Sequence, residues 1–219
     1  YPTIAIPKFE LKEFAPLYNG FDWEYANEHS DLFRSSGAPK TFEEIDMGWG
    51  CMLYSTRLPE INDVQVEGVT ALNSKWTCTL TLDAHDYAQV FIDGKYIGKV
   101  DRVKSEKTLT LPAIKQGQEL QILVEGMGRI SFGRAIKDFK GIIGNVTISA
   151  EVGNNEVVWT PRIWNNVIIP DNYENAIQAL SFKFPRKENP SDLDSKHGYY
   201  RGYFNLKKVG DTFLNFETW

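Results

Sequence analysis

Residues 86–102 read DYAQVFIDGKYIGKVDR, and this stretch predicts a strand, a tight turn and a second strand. Val90, Ile92, Tyr96 and Val100 supply the bulky side chains that pleated strands favour. Between the two strands, Asp93-Gly94 forms a turn in which glycine adopts a positive φ without steric cost. A hairpin alone indicates no chemistry, so the function has to be sought in the sequence around it.

The neighbouring segments carry the same strand pattern. Trp76, Cys78, Leu80 and Leu82 alternate with threonines over residues 75–82, which is the period of a half-buried strand. Residues 52–58 alternate in the same way. Further strands are predicted at residues 87–93, 96–101, 107–111, 119–125, 145–152 and 156–160. Many short strands with close turns and no helical pattern between them predict an all-β fold, an antiparallel β-sandwich or jelly roll.

Changes in composition divide the chain into four segments. Residues 1–40 contain frequent Pro and Gly and are predicted to be a connector, with one or two helical turns within 21–33. The β-sandwich is predicted at 41–165. Residues 166–197 are predicted to be a linker with a short helix at 172–180 and a polar stretch at 186–196. Strands at 199–206 and 211–216 either begin a second β-sandwich, over 198–219, or complete the first.

Composition excludes some classes of partner. The 219 residues are 42% hydrophobic and 24% charged, with a net charge of −5, which argues against a nucleic-acid partner. No apolar run is long enough to span a membrane. A start at Tyr1 rather than Met indicates an N-terminus already processed or cut. The aromatic content of 13% suits both strands and sugar-stacking platforms.

Motifs for metals and cofactors are not found in the sequence. Cys51 and Cys78 form no CxxC pair, and free thiols are favoured over a disulfide. The Gly-Met-Gly run at 126–128 is not followed by a helix and is rejected as a phosphate loop. We therefore expect no cofactor and no metal.

Catalytic motifs are also missing. There is no GxSxG, and the three histidines lie among polar neighbours. A retaining glycosidase needs two carboxyl groups about 5 Å apart, one of them protonated. The acidic clusters that could supply such a pair are Glu43-Glu44-Asp46, Asp83/Asp86 and Asp192/Asp194. All of them are expected to be solvated with ordinary pKa values, so no catalytic residue is predicted.

Residues 127–144, MGRISFGRAIKDFKGIIG, form a long polar loop with four glycines, preceded directly by a fifth, Gly126. Long ordered loops on sandwiches are often functional. The alternative is a structural loop held by an Arg–Asp pair, and the residues alone leave both interpretations open.

Several blocks, taken in order, resemble family 35 β-galactosidases. They are TIAIPKF (3–9), FEEIDMGWGCMLYSTRLP (42–59), DYAQVFIDGKYIG (86–98), LVEGMGRISFGRAIKDFKGIIG (123–144) and YYRGYFNLKKVGDTFLNFETW (199–219). The resemblance implies the galactose-binding-like, non-catalytic sandwich portion of an enzyme that hydrolyses terminal β-galactosides with retention. It places both catalytic glutamates in an N-terminal (β/α)₈ barrel, the expected partner, so this chain alone is predicted inactive. It also favours a periplasmic or secreted protein.

The resemblance also implies roles for individual residues. In the family, the loop reaches toward the galactose pocket of the barrel and offers it an aromatic ring, which by position is Phe132. The residues expected to brace the loop are Arg129, Ser131, Asp138 and Lys140. Where family members often have Asn-Tyr, this chain has Ser131-Phe132, so a hydroxyl contact to the sugar is lost. Gly126 replaces a family Asn and is predicted to loosen the start of the loop.

Two other functions are compatible with the sequence. One is an autonomous carbohydrate-binding module that stacks β-galactoside glycans on exposed aromatic side chains, for which the candidates are Trp49, Trp159 and Trp164. The other is a purely structural interface domain, with Phe132 buried against the barrel and touching no sugar.

Overall fold

The computed structural model describes residues 2–16, 33–58, 78–115, 117–152, 155–169 and 198–213. The helical turns predicted within 21–33, the helix at 172–180 and the polar stretch at 186–196 therefore lie outside the described residues, apart from residue 33 itself.

Almost all regular structure in these residues is β. In chain order the strands are β1 (Glu13–Pro16), β2 (Phe33–Ser36), β3 (Gly50–Arg57), β4 (Cys78–Thr81), β5 (Ala84–His85), β6 (Tyr87–Ile92), β7 (Lys95–Asp101), β8 (Thr108–Leu111), β9 (Glu119–Gly126), β10 (Gly141–Ile142), β11 (Thr147–Val152), β12 (Asn155–Trp159), β13 (Trp164–Ile169) and β14 (Gly198–Arg201). Two short 3₁₀ turns, Glu43–Ile45 and Arg102–Lys104, precede β3 and follow β7.

Two antiparallel sheets contain most of these strands. The larger has six strands in the order β2-β13-β3-β9-β6-β7, and the smaller has four in the order β12-β11-β4-β8. One hydrophobic cluster takes alternate residues from both sheets, among them Tyr54, Leu80, Val90, Ile122 and Ile148. The predicted all-β sandwich is confirmed, since each sheet contributes one apolar face to a shared core.

The hairpin at residues 86–102 forms as predicted, from β6 and β7. Ile92 pairs with Lys95 across a two-residue turn in which Asp93 has φ 49° and Gly94 has φ 74°. Positive φ at both positions is the type I′ geometry that matches the twist of paired strands. On the other side, β6 pairs with β9, so the hairpin forms one edge of the six-stranded sheet with β7 as the outermost strand.

β13 is a strand that the sequence did not predict. It pairs with β3 on one side and β2 on the other, although the sequence predicted a linker from residue 166 onward. Asn166, 1% exposed, explains the missed strand, because its polar side chain interrupts the apolar pattern. Its amide nitrogen donates to the carbonyl of Arg34 and the hydroxyl of Ser36, each at 2.8 Å. Long-range hydrogen bonds thus satisfy a polar group that local sequence rules place in a loop.

The chain divides into two compact units. Residues 22–179 form the sandwich, and residues 1–21 with 180–219 form the other unit. In the second unit β1 pairs antiparallel with β14, and Thr3 forms a parallel bridge with Asp211. The segment predicted as a connector thus contains β1 and β2, while the predicted domain boundaries stay predictions.

Cys51 and Cys78 are free, as favoured from the sequence. They lie on β3 and β4, which belong to different sheets. Burial, followed by the nearby Glu125 carboxylate, raises the pKa of the Cys51 thiol to about 11. Burial also raises the pKa of the Cys78 thiol.

Candidate functional site

The glycine-punctuated loop lies at one end of the sandwich, between β9 and β10. β9 ends at Gly126, which pairs with Gly50 at the start of β3. The chain becomes a strand again at Gly141, which pairs with His85 of β5. Residues 127–140, called the apical loop from here on, contain no strand.

Both ends of the apical loop bind one carboxylate. Near its start, Arg129 Nη1 lies 2.5 Å from Glu43 Oε1. At its far end, the backbone N–H of Lys140 donates to Glu43 Oε2 at 3.0 Å. Arg129 also donates from Nε to the carbonyl of Gly48 at 2.9 Å. Glu43 in its 3₁₀ turn therefore closes the loop across its neck.

A second anchor is a network of four charged side chains, of which three are buried or nearly so and the fourth, that of Arg102, is 34% exposed. Lys140, 2% exposed, places Nζ 2.6 Å from Asp86 Oδ2 and 2.9 Å from Asp138 Oδ2. Arg102 Nη1 donates to Asp86 Oδ1 at 2.7 Å and to Asp138 Oδ2 at 2.9 Å. Its Nη2 adds a bond of 2.7 Å to Asp138 Oδ1. Two cations thus bridge two carboxylates in a closed ring.

This network connects the hairpin to the loop. Asp86 and Arg102 are the first and last residues of the stretch 86–102, and the pairing of β6 with β7 brings them together. Asp138 and Lys140 come from the end of the apical loop. The open end of the hairpin therefore holds the loop in place.

The charges of the network keep both carboxylates ionised. Hydrogen bonds from Arg102, then from Lys140, hold the pKa of Asp138 well below its usual range, against the opposing effect of burial. For Asp86, burial raises the pKa, but the hydrogen bonds from Lys140 and Arg102 outweigh it and the pKa is lowered. The expectation of a solvated Asp86 with an ordinary pKa was wrong, since the residue is 8% exposed and ion-paired.

Asp86 and Asp138 share two cations, which makes them the pair of carboxyl groups to consider for glycosidase chemistry. A general acid, however, needs a pKa raised toward neutrality so that it holds a proton to donate. Asp86 and Asp138 are shifted in the opposite direction. Their chemistry suits an anchor and does not suit acid catalysis.

The acidic cluster before β3 also departs from expectation. Burial raises the pKa of Glu43, but hydrogen bonds from Arg129 and the backbone lower it overall. A hydrogen bond from Lys40 lowers the pKa of Glu44. Both carboxylates were expected to have ordinary pKa values, and this expectation was wrong.

Between its anchors the apical loop exposes apolar side chains. Phe132 is 83% exposed, and its neighbours along the loop are partly exposed: Met127 48%, Ile130 37%, Ile136 56% and Phe139 54%. Ser131 is exposed and makes no side-chain hydrogen bond within the described part of the chain. Burial of apolar surface is the main favourable term in association, so an anchored loop with an apolar tip is suited to contact.

The four residues expected to brace the loop differ in the contacts that they make. Asp138 and Lys140 lie in the charge network, and Arg129 binds Glu43 rather than an aspartate. Ser131 braces nothing in the described residues. The suggested Arg–Asp pair exists, but its arginine is Arg102, which lies outside the loop.

Gly126, at the start of the loop, is closely packed. A Cβ built at this position would lie 2.6 Å from Cε2 of Phe42, a fully buried ring. A larger residue here would require the Phe42 ring to move, and the expectation that Gly126 loosens the start of the loop stays a prediction.

The three tryptophans proposed for sugar stacking lie in different environments. Trp49 is 72% exposed and directly precedes β3, beside the neck of the apical loop. Trp159 is half-buried at the end of β12. Trp164 is 0% exposed, and its indole N–H donates to the carbonyl of Pro161 at 3.3 Å. A ring with no accessible face cannot stack on a sugar, so Trp164 is a core residue.

Sequence reasoning missed Glu43, Asp86 and Arg102 as anchors. Their partners lie between 16 and 97 residues away along the chain. The available indication was a charged residue at each end of a predicted hairpin, since hairpin pairing brings such ends together.

The described residues contain neither a metal-binding cluster nor a membrane-spanning helix. No group of three or more His, Cys, Asp or Glu side chains there is arranged to hold a metal ion. Within the same residues, no helix is long and apolar enough to cross a membrane.

Fold and site together define an antiparallel β-sandwich domain that presents an anchored, apolar-tipped loop at one end. Residues 39–160 match the family described as "Beta-galactosidase, first all-beta domain". The chain therefore belongs to this family of β-galactosidase all-beta domains.

Curated relatives carry the name Beta-galactosidase. The chain is 30% identical to the dog (Canis lupus familiaris) protein over 195 residues, which is 83% of this chain and 26% of the relative. It is 32% identical to the cattle (Bos taurus) protein over 171 residues, covering 78% of this chain and 21% of the relative. The mouse (Mus musculus) protein is 32% identical over 192 residues, which is 83% of this chain and 27% of the relative. The chain spans about a quarter of the length of the relatives it matches.

Proposed function

We propose that this chain is the non-catalytic sandwich portion of a family 35 β-galactosidase, and that it supports the catalytic barrel and lends the apical loop to its sugar pocket. In the whole enzyme the reaction is hydrolysis of terminal β-galactosides with retention. The chemistry takes place on two barrel glutamates, and this chain contributes shape and apolar contact.

One observation carries the proposal: an aromatic ring is 83% exposed on a loop fixed at both ends. A mobile surface ring would have to be ordered on binding, which costs conformational entropy. Anchors made from Glu43 and the charge network reduce that cost before any partner arrives. Phe132 is thus positioned in advance for contact with a ligand or a neighbouring domain.

The ring has no hydroxyl, so its contribution to a sugar pocket is apolar packing and exclusion of water. Such a contact acts on the bound substrate and on the transition state alike. Its removal should therefore weaken substrate binding more than it slows the chemical step.

The test uses the full-length enzyme that carries these residues, with a nitrophenyl β-galactoside as substrate. Phe132→Ala should raise KM several-fold with little change in kcat, while Phe132→Tyr should keep KM near that of the wild type. Phe213→Ala is the matched control, because Phe213 is 82% exposed but belongs to the other compact unit. An unchanged KM for Phe132→Ala would favour a purely structural loop.

A second candidate function is an autonomous carbohydrate-binding module, which the 72% exposure of Trp49 favours. Calorimetry of the 219-residue chain with galactose and lactose separates the two functions. Millimolar or tighter binding that is lost in Trp49→Ala would support the module, and no heat at these concentrations would count against it.

A further inference from the structure

A cavity of about 920 Å³ lies at the end of the sandwich opposite the apical loop. Its lining comes from the end of β3, the start of β9, the end of β12 and the residues that lead into β13. β3 and β9 pair along their whole length, from Gly50↔Gly126 at the loop end to Arg57↔Glu119 at the cavity end. Gly50 and Arg57 are seven residues apart along β3, so the two ends lie about 24 Å from each other.

The side chains of this distal cavity combine an aromatic surface with charged groups. Trp159, half-buried, packs one part of its ring against the core and lines the cavity. Arg57 and Arg162 are exposed and also line it, and neither guanidinium forms an ion pair with any described residue. Among the described residues of the lining, Glu119 is the only one with a carboxylate, and it already accepts a hydrogen bond from the Gln121 amide at 3.2 Å.

A buried hydroxyl at the same place lacks a partner. Ser55 is 1% exposed and lines the cavity, and its Oγ makes no hydrogen bond within the described part of the chain. A buried hydroxyl without a hydrogen-bond partner is unfavourable, since it loses its contacts with water and gains none in the protein.

We propose that this distal cavity binds a carboxylate-bearing sugar residue, such as a uronic acid. A guanidinium pairs with a carboxylate through two parallel hydrogen bonds, and two unpaired guanidiniums exceed the single carboxylate of the lining. The indole of Trp159 offers an apolar surface to one face of the sugar ring. Thr160 and Asn165 add neutral polar groups for ring hydroxyls. The volume lies within the roughly 300–1,000 Å³ usual for ligand pockets.

The site is independent of the role proposed for the apical loop, because it shares no residue with that loop. It would tether the chain to an acidic glycan while the other end of the sandwich faces a different partner. Substitutions at one end should therefore leave binding at the other end unchanged.

The experiment follows the indole N–H signal of Trp159 in the ¹⁵N-labelled 219-residue chain, with that signal assigned by its loss in Trp159→Phe. D-galacturonate should shift it saturably with a Kd on the order of 1 mM, a weak affinity expected of a single sugar. Arg57→Gln and Arg162→Gln should each weaken binding about tenfold, as the loss of a charge-assisted hydrogen bond would. Added salt should weaken binding as well.

Arg134→Gln is the matched control, since Arg134 is exposed on the apical loop and lies outside the cavity. It should leave the affinity for galacturonate unchanged, as should Phe132→Ala. Three results would overturn the proposal: no saturable shift with galacturonate, an equal shift with neutral D-galactose, or an equal shift with acetate. The second would mean that charge plays no part, and the third would mean a simple anion site.

Discussion

Lys140→Met is expected to destabilise the sandwich more than the loss of a lysine from a polar loop would normally do. The Lys140 side chain is 3% exposed and contacts two carboxylates, at 2.6 and 2.9 Å. After its loss Asp86 keeps one hydrogen bond from Arg102. Asp138 keeps two hydrogen bonds from Arg102, and His85 Nδ1 lies 3.3 Å from its Oδ1. Removal of one partner from a buried ion network costs about 3–5 kcal/mol, because the remaining charges stay buried. For a unit of this size, that corresponds to a fall in Tm of about 6–20 °C.

Lys107→Met provides the control, because it deletes the same charge from a pair with similar geometry at the surface. Lys107 Nζ lies 2.9 Å from Asp83 Oδ2, but its side chain is 59% exposed. Exposed pairs contribute about 0–1 kcal/mol. The two substitutions should thus differ by at least about 2 kcal/mol in the free energy of unfolding.

The assay is urea unfolding followed by circular dichroism, with the slope checked so that changes in midpoint report stability. Asp86→Asn should lower the free energy of unfolding less in the Lys140→Met background than in the wild type. Without Lys140, the Asp86 charge is poorly compensated, and its removal is less unfavourable. The coupling between such neighbours is about 0.5–3 kcal/mol. Equal effects of Lys140→Met and Lys107→Met, or additive behaviour of the pair, would refute the closed network.

Three further predictions concern acid, packing and thiol chemistry. Arg102 holds the pKa of Asp138 below its usual range, so the ionised Asp138 stabilises the fold fully above about pH 5, and this stabilisation is lost as pH falls below about 4. When the free energy of unfolding is measured from pH 7 to 3, it should therefore fall less steeply with acid in Asp138→Asn than in the wild type. Gly126→Ala should cost about 1–3 kcal/mol by thermal melting because its Cβ would meet Phe42, whereas Gly128→Ala, with open space around it, should change stability by less than about 0.5 kcal/mol. Cys51, with its pKa raised to about 11, should react with iodoacetamide at pH 8 on the order of a hundredfold more slowly than free cysteine, and a rate near that of free cysteine would contradict its burial.

Local patterns predicted the sandwich because its strands follow the period of two. Leu80, Val90 and Ile122 occupy the core face at alternating positions, and Asp93-Gly94 turns the hairpin as its residue types require. These features depend on neighbours within a few residues along the chain. Such features can therefore be predicted from a single sequence.

The anchors of the apical loop depend on contacts across long separations and could not be predicted in the same way. Lys140 contacts Asp86 from 54 residues away, and its polarity gives no sign of burial. Trp164 shows the reverse error, because an aromatic residue in a polar stretch was assigned to the surface and lies in the core. In both cases tertiary pairing decides the environment of a side chain, and no local pattern encodes it.

We propose that these 219 residues support the catalytic barrel and position a loop at its sugar pocket, while hydrolysis takes place in another part of the enzyme. The most direct measurement is turnover of nitrophenyl β-galactoside by the purified chain, produced in a host without β-galactosidase. The chain alone should release no nitrophenol above background, and the full-length enzyme should do so readily under the same conditions. Turnover by the chain alone, at a rate proportional to its concentration, would contradict the claim.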